Sequence, residues 1–263
     1  MLFRLLSGGL TREMLPIVLI TLLLRIPAVM LALSLHEAAH GFAAYKLGDP
    51  TAKMLGRITI NPLKHLDPFG ALSMLIFGVG WAKPVPINTR YFKKPKRDMA
   101  LTAGAGPLCN LLQGLTATLL LFLFTRLFIS GETASVFVAY NRIDCTSYYG
   151  LYILFVNVFL KTDLFTTGEM IAAMFLYLLL IYASLNFILA IFNLIPVPPF
   201  DGSRLAFAFL PDKYYFGIMK YERFIMIGFL LLFFIGGRFG LFDTVFTGFI
   251  DLMFKTFSWI IYL

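Results

Sequence analysis

Charged side chains are scarce in this sequence, and the scarcity sets its class. Asp, Glu, Lys and Arg make up 14% of its 263 residues, where a soluble domain carries about 25%. Hydrophobic residues fill the gap at 59%, and mean hydropathy is +0.84. A chain so built is expected to be solvated by lipid. Cysteine is almost absent. Cys109 and Cys145 are expected on opposite sides of a membrane, which excludes a structural disulfide. Acid is outnumbered by base, 14 residues to 22. The surplus crowds into residues 83–97, which fits topology and anionic-lipid contact and argues against a nucleic-acid partner. Repeats, low-complexity tracts and stretches resembling an appended soluble domain are lacking too. Residues 1–263 are therefore expected to form a single membrane domain.

What is present is a series of apolar runs. Residues 14–47 predict one helix, with Pro27 inside it and Gly48-Asp49-Pro50 as its stop. Arg4 and Arg12 before this run resemble a signal peptide. The run continues into a chemically active motif, so it is expected to be retained. Leu55 to Asn61 partly alternates and is rich in β-branched residues, which predicts a short strand able to pair with an extended substrate. Residues 70–82 are apolar but too short to span. Residues 98–129 and 168–195 are strong spans, with 217–237 and 241–262 as weaker ones. A short apolar piece at 148–160 is expected not to cross. The fold class predicted is an all-α multi-pass membrane protein, a helical bundle of roughly four to six spans with a small β-element after the first.

Charge sets the orientation. The loop at 48–97 holds Lys53, Arg57, Lys64, Lys83, Arg90, Lys93, Lys94, Lys96 and Arg97, whereas 130–167 holds Arg142 and Lys161. The positive-inside rule makes the first loop cytoplasmic and the second external. The late end of the first span and the residues just past 195 then lie toward the cytoplasmic side of a cell membrane.

Two of the chain's three histidines lie in His36-Glu37-Ala38-Ala39-His40. Four positions apart on a helix, His36 and His40 share one face and can bind one zinc ion. Glu37 projects beside them, where a carboxylate can take a proton from a metal-activated water. Such a trio in an apolar span is costly and marks function. A catalytic zinc keeps three protein ligands and an open position. Asp201 is the strongest candidate for the third, because Pro196, Pro198 and Pro199 break the preceding span near membrane depth, where irregular backbone must line a cavity or be buried. Gly202 is expected to permit a sharp turn there. His65, in a turn-rich loop, reads first as a histidine bonding backbone, with a place near the metal as the alternative. Asn110, early in its span, reads as a hydrogen bond between helices.

These residues, with Gly104-Ala105-Gly106-Pro107-Leu108-Cys109-Asn110 and Asn193 through Gly202, resemble the site-2 protease family of membrane metalloproteases. Gly48-Asp49-Pro50 through Asn61-Pro62, His65-Leu66-Asp67-Pro68 and Gly80-Trp81-Ala82-Lys83-Pro84-Val85-Pro86 resemble a bacterial branch of it. The resemblance implies His36, His40 and Asp201 as Zn2+ ligands and Glu37 as the base. It implies that Asn193 helps hold substrate or the developing oxyanion. It also implies a zinc-dependent endopeptidase whose partners are membrane-protein substrates within the lipid bilayer.

Overall fold

The computed structural model describes residues 15–77, 82–129, 138–139, 141, 143–145, 147–160, 163–237 and 241–262. Arg4, Arg12, Trp81, Arg142 and Lys161, on which parts of the sequence reading rest, lie outside them.

The longest helices are α1 (Leu15–Lys46), α4 (Pro95–Ile129) and α6 (Thr167–Leu194). Between α1 and α4 lie the short α2 (Thr51–Met54) and α3 (Pro68–Phe77). Helix α5 (Tyr148–Leu160) precedes α6, and α7 (Asp201–Phe207), α8 (Asp212–Lys220), α9 (Glu222–Gly237) and α10 (Leu241–Lys255) follow it. Among the described residues, three helices are long and apolar enough to cross a membrane: Val18–Lys46, Pro95–Ile129 and Thr167–Leu194. This is a membrane protein built of helices.

Within the weaker candidate spans the described residues form helices of 16 and 15 residues. One expectation is corrected. The strand at 55–61 does not form, and no strand occurs among the described residues. Its backbone groups are spent locally instead. Gly56, at φ +62°, turns the chain out of α2, and the Arg57 N–H returns to the Ala52 carbonyl at 2.8 Å. The Thr59 carbonyl accepts from His65 Nε2 at 2.9 Å, and the Asn61 side chain caps a 3-10 turn at Pro62–Lys64. A β-branched composition was outvoted by a glycine and an asparagine that supply turn bonds. The piece at 148–160 is a helix of 13 residues, about 20 Å long, too short to span as expected.

Helix ends follow from their residues. Gly48, at φ +111°, closes α1. Thr166 and Glu169 form a reciprocal capping box at the start of α6.

The core lies where α4, α5, α6 and α10 meet. Phe122, Phe155, Tyr177, Phe187 and Phe254 are fully buried there. Phe254 meets Phe122 and Phe187 edge-on, with centroids 5.9 and 6.3 Å apart. Association in lipid rests on close packing and interhelical hydrogen bonds, and both occur. Thr21 and Tyr177 join α1 to α6 through their hydroxyls at 3.0 Å. Tyr182 donates to Gln113, joining α6 to α4. Asn110 is buried, and its Oδ1 accepts from Gln113 within its own helix.

Gly114 lets α4 approach α6. A Cβ there would lie 2.6 Å from the Phe187 ring. Gly114→Ala is expected to destabilise the protein by about 1–3 kcal/mol through overpacking. Thermal unfolding in detergent micelles checks this, and an unchanged or raised midpoint would contradict the packing.

Candidate metal centre

His36 and His40 lie one turn apart in the later half of α1. Their rings stand edge to face with centroids 4.6 Å apart. The two Nε2 atoms are 3.1 Å from one another, and each is 3.3 Å from Asp201 Oδ2. Donor atoms about 2.0–2.1 Å from a tetrahedral ion are spaced about 3.3–3.4 Å apart. The triangle is therefore the size of one face of a zinc coordination sphere, and among the described residues these three side chains form the one group able to hold a metal ion. Both histidines are buried.

The neighbouring helix shapes the site. His40 Nδ1 lies 2.8 Å from the Thr102 carbonyl, to which only a protonated Nδ1 can donate. That bond leaves the Nε2 lone pair facing His36 and Asp201. One turn along α4, a Cβ on Gly106 would fall 2.4 Å from His40 Nε2 and 2.6 Å from His36 Cε1. Any larger residue would occupy the space of the rings. His36 Nδ1 is buried without a protein partner.

Asp201 reaches the histidines because α6 stops where it does. Three prolines follow it, and proline cannot extend a helix. Phe200 anchors the turn against Phe192 and Phe229, with centroids 4.5 and 5.0 Å away. Gly202 serves differently from expectation. Its φ is not positive; a Cβ there would lie 2.3 Å from the Leu194 carbonyl oxygen. The glycine allows α7 to sit tightly against the end of α6. Burial works to raise the Asp201 pKa, and the two imidazoles facing the carboxylate outweigh it, drawing the value down to about 2.

The remaining candidates separate cleanly. Glu37 Oε2 accepts the Val85 N–H at 2.8 Å, leaving Oε1 free of that bond. Asn193 ends α6, with one amide hydrogen donated to the Leu189 carbonyl at 3.0 Å. His65 is buried but outside the metal group; it bonds backbone. Burial lowers its pKa, the Thr59 carbonyl opposes this, and Arg57 adds to it. Asp49 and Asp67 serve turns, accepting from Thr51 and from Phe69 and Gly70. Both cysteines are free. Sequence reasoning missed the Thr102 carbonyl and the Val85 N–H, since backbone groups carry no residue signature. It could have found Gly106, a small residue deep in a span that also holds Pro107.

Residues 25–235 match the family described as Peptidase family M50. Among curated relatives, the Bacillus subtilis (strain 168) protein YwhC, whose name assigns it provisionally to the zinc metalloproteases, is 36% identical over 78% of this chain and 77% of its own length. Rip2 of Mycolicibacterium smegmatis (strain ATCC 700084 / mc(2)155), named in the same terms, is 33% identical over 31% of this chain and 33% of its own. No solved structure matches.

Gly106→Ala is expected to push the imidazoles apart and lower bound zinc at least tenfold, since outer partners of a metal site typically matter by 10–100-fold. Elemental analysis of the purified variant checks it. Zinc retained at one per chain would show that the rings have room the structure denies them.

Proposed function

The chain belongs to peptidase family M50 and is a membrane zinc metalloprotease, and from that premise we propose that it cleaves peptide bonds within or beside the transmembrane segments of other membrane proteins. The observation that carries the reading is the convergence of His36, His40 and Asp201 on one point of an apolar helix. In this reading His36, His40 and Asp201 hold the zinc and Glu37 is the base. When bound, the metal polarises the scissile carbonyl and acidifies a water molecule.

The chain's own residues do the rest. Glu37 takes the proton of the attacking water on the carboxylate oxygen that Val85 leaves free, and returns it to the leaving nitrogen. Thr102 fixes the tautomer of His40. Asn193 steadies the substrate with its second amide hydrogen. The enzyme spans the cell membrane several times, with the site opening toward the cytoplasm. The basic loop supports that orientation: Lys53, Lys64, Lys83 and Arg90 are all exposed beyond the late end of α1.

The test uses purified protein in detergent micelles with a single-span model protein tagged at both ends. Cleavage should require zinc and stop with a chelator. Glu37→Gln is expected to keep its zinc and lose about 10²–10⁴-fold in rate. Near-normal turnover in that variant would end the mechanism, and no cleavage by the unaltered enzyme would end the substrate assignment.

The ligand assignment has its own check. Asp201→Ala should lose zinc and activity together, while Asp67→Ala should keep both, because Asp67 only caps α3. Zinc content of the two variants decides it; full occupancy in Asp201→Ala would show that the third ligand lies elsewhere.

A further inference from the structure

Glu37 is held from outside its own helix. Residues 82–88 run past α1 without helix or strand bonding. Pro84 and Pro86 keep Lys83 and Val85 out of the α region, so the run is extended. The two prolines have no N–H to offer, and Val85 between them gives its own to Glu37 Oε2 at 2.8 Å. The strap lies directly on α1. A Cβ on Gly41, one turn beyond Glu37, would lie 3.3 Å from Val85 Cγ1.

The strap is tied down at both ends by the loop that follows α1. At its far end the Asn88 N–H donates to Asp49 Oδ2 at 2.7 Å, and Asp49 is fully buried. At its near end the Lys83 N–H donates to the His65 carbonyl at 2.8 Å. Beside Val85 itself stands Arg57, whose Nη2 donates to the Lys83 carbonyl at 2.7 Å and to the Pro84 carbonyl at 3.2 Å. Arg57 is buried, with 9% of its surface exposed. A guanidinium is seldom buried without a task. Here it grips the Lys83–Pro84 peptide and the Pro84–Val85 peptide, whose own N–H is the one that meets Glu37.

We propose that Arg57 is a positioning residue for Glu37, acting through the strap: it fixes the Lys83 and Pro84 carbonyls, which fixes the Val85 N–H, which turns the Glu37 carboxylate so that Oε1 faces the water it must deprotonate. The proposal rests on the reading of Glu37 as the base. A carboxylate tethered through one oxygen loses its rotation, and general-base catalysis depends on that orientation being set before the reaction. Arg57 touches neither substrate nor metal in this scheme. Its loss should lower turnover without altering zinc or substrate binding.

Two measurements on the zinc-loaded Arg57→Ala enzyme test it. Hydrogen exchange followed by mass spectrometry should show the Val85 amide exchanging at least tenfold faster than in the unaltered protein. Kinetics on the doubly tagged single-span model protein should show kcat reduced about 10–100-fold, with KM within about twofold and zinc still one per chain. Unchanged exchange, or unchanged kcat, would overturn the proposal, as would zinc falling in step with kcat, which would mark Arg57 as a structural support. If Arg57→Ala does not fold, Val85→Pro replaces it. That change removes the N–H in a run whose neighbours are already prolines, and kcat must fall with zinc retained. Glu37→Gln keeps the two readings apart: if that variant is inactive and Arg57→Ala is unimpaired, only the positioning role fails; if Glu37→Gln is active, the base assignment fails first.

Discussion

A polar group at membrane depth must find its partner inside the protein, because lipid offers none. The metal centre concentrates that demand. Two imidazoles and a carboxylate meet there, and backbone arrangements serve His40, Asp201 and the adjacent Glu37. The Thr102 carbonyl takes one imidazole proton, the proline-broken end of α6 delivers the carboxylate, and the Val85 N–H meets the neighbouring Glu37. Thr102 belongs to α4, whereas Val85 and the turn after Leu194 stand outside regular helix. The irregular stretches at 82–88 and 195–200 exist where side-chain chemistry needs bonds that helices keep for themselves.

The packing of the bundle serves the same end. Small residues on α4 let other parts approach closely: Gly106 admits the histidine rings, Gly114 admits Phe187, and Gly104 lies against Leu205 of α7. The metal centre is thereby gripped between α1 and α7, with α4 behind it. Aromatic contacts around Phe254 hold the opposite end of the bundle and leave the centre free of that burden.

Much of this was legible in the sequence because the underlying signals are local. A run of apolar residues long enough to cross lipid gives itself away, and so does His-Glu-x-x-His on a helix. Asp201 was legible through its context, a proline break in a span. The strand at 55–61 was misread because β-branched composition speaks only to side chains, while Gly56 and Asn61 decided where the backbone bonds went. The ties on Glu37 and His40 were beyond reach, since they are made by peptide groups brought together from distant positions.

The three side chains of the candidate metal group come from distant parts of the sequence. His36 and His40 emerge early in synthesis, and Asp201 emerges only after α4, α5 and α6 have been made. A nascent chain that has inserted α1 and α4 holds His36 and His40 without Asp201, two members of the group where a catalytic zinc keeps three protein ligands. The three-residue group therefore cannot assemble until the chain has been made through Asp201, while α10 of the core is still to follow.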